Sequence, residues 1–167
     1  MKRREKGFSL LELAVVAVVL SVLLAVFLER LTYYQAAAER AHFDSTLRIY
    51  KTALQIRLAE LIVERREGEA RTLEVENPTR WLSEKPTNYA GGYPESPEPG
   101  TWYFDAATRE LVYVVNSSRG LEMEARSSVK QLRFRVKLVY QNVHAGGRQI
   151  QGIGGIFLQP SAAYRWA

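Results

Sequence analysis

The sequence predicts an α+β fold: a long N-terminal helix, transmembrane in its first half and amphipathic in its second, packed on a small antiparallel β-sheet head. Three observations carry this. Residues Phe8 to Leu28 form an almost unbroken apolar run. Residues 29–67 contain no helix breaker and keep a three-and-four spacing of large apolar side chains. After residue 100, short segments alternate apolar and polar, the period of a half-buried strand. The 167 residues suit one domain with an appendage.

The apolar run reads FSLLELAVVAVVLSVLLAVFL, and only Ser9, Glu12 and Ser21 in it are polar. As a helix it spans roughly 30 Å, the hydrocarbon thickness of a bilayer. A buried core helix of such purity would need a larger surrounding domain than the remaining chain supplies. A cleaved secretory signal is the other alternative, with Ala36-Ala37-Ala38 as its small-residue site. The run is long for that role, and the site lies well past its end. Four bases (Lys2, Arg3, Arg4, Lys6) precede the run and only Arg30 follows closely. The positive-inside rule then puts the N-terminus in the cytoplasm and the rest of the chain across the membrane.

Glu12 is the anomaly. An ionised carboxylate costs ~2.5–3.5 kcal/mol at a bilayer centre, less near the interface, and such residues are functional by default. A cut between Gly7 and Phe8 would give Phe8 a new α-ammonium one helical turn from Glu12, or opposite the Glu12 of a neighbouring chain.

The string Lys6-Gly7-Phe8-Ser9-Leu10-Leu11-Glu12 with its apolar sequel resembles the class III signal of type IV pilins and type II secretion pseudopilins. The resemblance covers residues 1–28. It implies a leader at 1–7, cleavage between Gly7 and Phe8 by a prepilin peptidase, N-methylation of Phe8, and a subunit-docking role for Glu12. The transmembrane half then runs 8–28 and the amphipathic half 29–67. Many members carry a proline late in the apolar run. Here no proline precedes Pro78, and no glycine lies between Gly7 and Gly68.

The amphipathic half places Phe43, Leu47, Tyr50, Leu54, Leu58 and Leu61 on one face, with Ile49, Ala53, Ile56 and Val63 expected to widen the stripe. That width favours docking on a head over a two-stranded coil. His42 and Asp44 read as surface residues, and Gly68 as the stop. Residues 68–100 form a long connection rich in Pro and Gly, with a short strand expected at Thr72–Glu76 and subunit contacts expected along it. The head, 101–167, should hold a hairpin (Thr101–Asp105 with Glu110–Val115), a short strand near 120–125, an alternating strand at Leu132–Tyr140 and a Gly-rich strand at Gln149–Gln159.

Charge is uneven. The net +5 splits into +3 over residues 1–6, +7 over 125–167 and therefore −5 between them. The basic outer face of the alternating strand (Arg133, Arg135, Lys137) is expected to meet an acidic surface of a neighbouring subunit. Nucleic acid is not expected as a partner, although a DNA- or surface-binding minor pilin is the alternative reading.

Chemistry is thin. The chain has no cysteine and two histidines, so thiol nucleophiles and multi-histidine metal sites are excluded. No phosphate loop or nucleophile elbow occurs. No enzyme activity, cofactor or metal is expected. After Glu124 there is no carboxylate side chain, so the C-terminal calcium loop of major pseudopilins is not expected. Together with the missing cysteines this points to a minor pilin or pseudopilin. Its expected partners are the prepilin peptidase, other pilin subunits and inner-membrane lipid.

Overall fold

The computed structural model describes residues 9–123, 130–145 and 148–166, without the side chains of 143–145 and 148–150. The chain divides into two units, Met1–Ala38 and Glu39–Ala167. One helix, α1 (Leu10–Val63), runs through both.

In the first unit the helix is apolar on every side and exposed on every side across residues 10–28. It is long and apolar enough to cross a membrane. In the second unit the helix is one-sided. Phe43, Leu47, Tyr50, Leu54, Leu58 and Leu61 are all buried. The stripe is narrower than its sequence suggests: Ile49, Ile56 and Val63 are 50%, 56% and 83% exposed. Ile49 and Ile56 face an open groove bounded by Trp81, Leu82 and Pro86, and Val63 is the last residue of the helix.

The helix stops at Val63, ahead of Gly68. Arg65 takes φ +56°, the Arg66 N–H reaches the Leu61 carbonyl at 2.8 Å and the Arg65 N–H reaches that of Ile62 at 3.1 Å. This is a Schellman turn with arginine where glycine is usual. Two 3₁₀ segments follow, η1 (Glu67–Glu74) and η2 (Pro78–Trp81). The strand expected at Thr72–Glu76 is thus absent. Those residues turn instead so that Ala70 and Leu73 enter the core.

The main sheet has the order β1-β2-β3-β5-β6, with β1 Tyr89–Gly92, β2 Trp102–Asp105, β3 Glu110–Val114, β5 Gln131–Ala145 and β6 Arg148–Pro160. A separate pair joins β4 (Leu121–Met123) to β7 (Tyr164–Trp166). The β2–β3 hairpin and the β5–β6 pair stand where the sequence pattern put them, both antiparallel. The sheet is mixed, because β1 adds to β2 in parallel. One face covers the helix. Phe43 stacks on Trp102 with ring centroids 5.5 Å apart and planes 2° from parallel, and Tyr113, Phe134, Tyr164 and Trp166 close around it.

Candidate functional site

Helix α1 begins at a built N-terminus. The Ser9 carbonyl accepts the Leu13 N–H at 3.0 Å, and the Ser9 hydroxyl accepts the Leu11 N–H at 3.3 Å. Ser9 is therefore the N-cap, and Glu12 stands three residues on, in the first turn. That spacing is the one in which an acid answers the positive end of the helix. The other hydroxyls of this stretch are absorbed by the backbone. Ser21 donates to the Ala17 carbonyl at 2.7 Å, the usual way a hydroxyl is carried through an apolar environment. Glu12 is exposed, and among the described residues no side chain pairs with it. Across residues 10–28 the helix thus presents one carboxylate, near its start, among side chains that are otherwise apolar except for Ser21. Gly7 and Phe8, the expected cleavage and methylation positions, lie outside the described residues.

Residues 2–28 match the model of the prokaryotic N-terminal methylation motif. The N-terminus is thus a class III prepilin-type signal, the kind that type IV pilin-like and pseudopilin subunits carry. Comparison with curated proteins and with solved structures finds no match. The motif implies processing by a prepilin peptidase, assembly with other pilin subunits, and a structural role rather than catalysis.

The pilin-like head carries its strongest electrostatics on the outer face of the sheet. Arg133 Nη1 donates to Asp105 Oδ2 at 2.8 Å and to Glu110 Oε2 at 3.1 Å. Arg135 Nη2 reaches Glu110 Oε1 at 3.1 Å, and the Ser161 hydroxyl donates to the same oxygen at 2.7 Å. Arg133 also lies over the Tyr93 ring, 5.3 Å from its centre. Its side chain is 24% exposed, against 51% for Arg135. Arg133 and Arg135 therefore spend charge inside their own head. Of the three bases expected to face a neighbour, Lys137 is the exposed one with no partner among the described residues.

Burial would raise the Glu110 carboxyl, but hydrogen bonds from Ser161 and Arg133 override it and hold the group below the usual carboxylate range. Asp105 behaves alike: burial opposes ionisation, and Arg133 with the Thr108 and Ala107 N–H groups wins. Both groups bind protons more weakly folded than unfolded. Their contribution is thus complete above the unfolded carboxylate range and is lost as pH falls from there through the lower folded values. The thermal midpoint of the head should be flat at neutral pH and fall below about pH 4. Glu110→Gln should lower the neutral-pH midpoint and flatten the acid limb. Circular dichroism melts across pH would show it, and parallel wild-type and variant curves would contradict the assignment.

A carboxylate the sequence reading passed over organises the start of the head. Glu39 Oε1 accepts the Tyr113 hydroxyl at 2.9 Å and the Asn116 N–H at 2.7 Å, and Oε2 accepts the Ser117 N–H at 2.7 Å. It joins helix to sheet across more than 70 residues. No local pattern could have found it.

Proposed function

We propose that this chain is a minor pilin or pseudopilin of a type IV pilus or type II secretion filament. The observation that carries the reading is Glu12, the one carboxylate of the apolar run 10–28, unpaired among the described residues and one turn into an exposed helix within a class III signal. In this reading the precursor sits in the inner membrane as a single-pass protein, N-terminus in the cytoplasm and head in the periplasm or outside. A prepilin peptidase cuts after Gly7 and methylates Phe8. The apolar helix then enters the filament core, where Glu12 compensates the α-ammonium of a neighbouring Phe8. The lack of cysteine and of any carboxylate side chain after Glu124 supports a minor over a major component. The internal pairing of Arg133 and Arg135 weighs against the DNA-binding alternative, because it consumes the charge such a face would offer to phosphates.

The test is Glu12→Ala in a strain that assembles the filament. Intact-mass analysis should find the leader removed and Phe8 methylated as in the parent, while the share of the chain in sheared filaments falls sharply. Undiminished incorporation would refute the docking role.

A further inference from the structure

The main sheet ends on β6, whose outer edge pairs with no strand among the described residues. The free edge of β5 beyond Phe134 is managed differently: the Leu138 N–H donates to Glu74 Oε1 of η1 at 2.9 Å. That bond also fixes which groups β6 leaves open. In a strand, the N–H and C=O of one residue point to one side, and successive residues alternate sides. The Leu138 N–H points away from β6, so Leu138 and Val136 do not exchange hydrogen bonds with Ile156 and Leu158, their partners in register. The Ser161 N–H on the Arg133 carbonyl, 2.8 Å, gives the same phase from the other end. The N–H and C=O groups of Ile156 and Leu158 therefore face outward. Among the described residues nothing bonds to them. Both side chains are buried in the core, so these four groups are rigidly held.

Natural edges are normally guarded by charge, proline or a cover. From Gln149 to Gln159 there is no charged residue. Between Ile156 and Leu158 stands Phe157, 54% exposed on the outer face, and Val139 beside it is 47% exposed. A bulge where the register shifts between Val139 and Tyr140, and Pro160 at the far end, limit the open window to Gly155–Gln159.

We propose that this window docks against the same window of a second copy, the two β6 strands running antiparallel across a two-fold axis at Phe157. Ile156 then exchanges both main-chain hydrogen bonds with the partner's Leu158, and Leu158 with the partner's Ile156. Every open group of the window is satisfied at once. Phe157 meets the partner's Phe157 in the close, non-hydrogen-bonded position, where aromatic pairs stabilise sheets. Gln159 lies opposite the partner's Gly155, and neither window holds a charge to oppose its twin. The contact is short of a standard stable interface, and it closes on itself instead of propagating. It is a pairing for chains concentrated in one membrane, and it stands or falls independently of the filament reading.

The absence of cysteine makes a single introduced one an unambiguous reporter. The full chain carrying Phe157→Cys, in membranes treated with copper phenanthroline, should form a disulfide dimer. Gln159→Cys and Lys137→Cys are the controls. Across the proposed axis their copies lie ~14 Å apart, from strand rise and strand spacing, beyond disulfide reach. Phe157→Cys should give several-fold more dimer than either control. No dimer, or equal yields in all three, overturns the proposal. Protease resistance monitors the fold. Should Phe157→Cys lose it, a mixture of Gln159→Cys and Gly155→Cys chains must give more crossed dimer than either chain alone, and failure there overturns the proposal equally.

Discussion

Replacing Phe43 with alanine is expected to lower the stability of the head by about 3–5 kcal/mol. Phe43 is fully buried, and five aromatic rings lie within 6.2 Å of its centre. It is the helix residue that meets the middle of the sheet (Trp102 of β2, Tyr113 of β3, Phe134 of β5) and the outlying β7 at Trp166. Truncation opens a cavity walled by rings attached to four different strands. Those rings cannot collapse into it without moving their backbones, so the cost should fall in the upper part of the aromatic range. Denaturant unfolding followed by tryptophan fluorescence reads this directly, since Trp102 stacks on the ring that is removed. Ile49→Ala, on the same helix and half exposed, should change stability by no more than about 0.5 kcal/mol. Equal effects at the two positions would show that the stripe is not the core.

Glu39→Ala should cost about 2–3 kcal/mol, within the range for hydrogen bonds to a charged group whose partners are left unpaired. Three donors converge on this carboxylate, and two of them are backbone N–H groups at the end of β3. Tyr113 is nearly inaccessible, and burial with the adjacent Glu39 charge holds its phenol well above the ordinary tyrosine range. Without Glu39 that hydroxyl loses its partner. Glu39→Gln should recover little, because its amide nitrogen is a donor and must face a donor at one of the three contacts. Hydrogen exchange at Asn116 and Ser117 should rise in both variants while exchange within β5 stays slow. Unchanged protection at these two amides would contradict the clamp.

The elements readable in the sequence are those whose information is local. The helix announces itself by spacing from Phe43 to Leu61, and β5 by the alternation of Leu132, Phe134, Val136 and Leu138, all four buried. The β2–β3 hairpin is marked by its turn. The elements that were missed depend on distant partners. β1 is four residues of Tyr-Ala-Gly-Gly with little strand propensity, and it forms because β2 offers an edge. β7 is three residues that exist as a strand only through β4. Residues 72–74 have strand-like composition, but burying Leu73 under the sheet imposes a 3₁₀ turn. At the candidate site, Glu12 was legible because a charge in an apolar run is conspicuous anywhere. The fate of Arg133 was not, because Asp105 and Glu110 are more than twenty residues away and reach it only once β2, β3 and β5 are aligned.

The outer face of β6 also restricts how this sequence can change. A Cβ at Gly155 would lie 3.3 Å from Cε2 of Phe157, so the aromatic ring rests over the bare glycine and must shift for any side chain placed there. The two positions are coupled: a side chain at 155 displaces the ring at 157 by a few tenths of an ångström, a shift that the half-exposed ring has room to make. Two residues on one strand thus do not vary independently, because each side chain admitted at 155 is felt as a small displacement at 157.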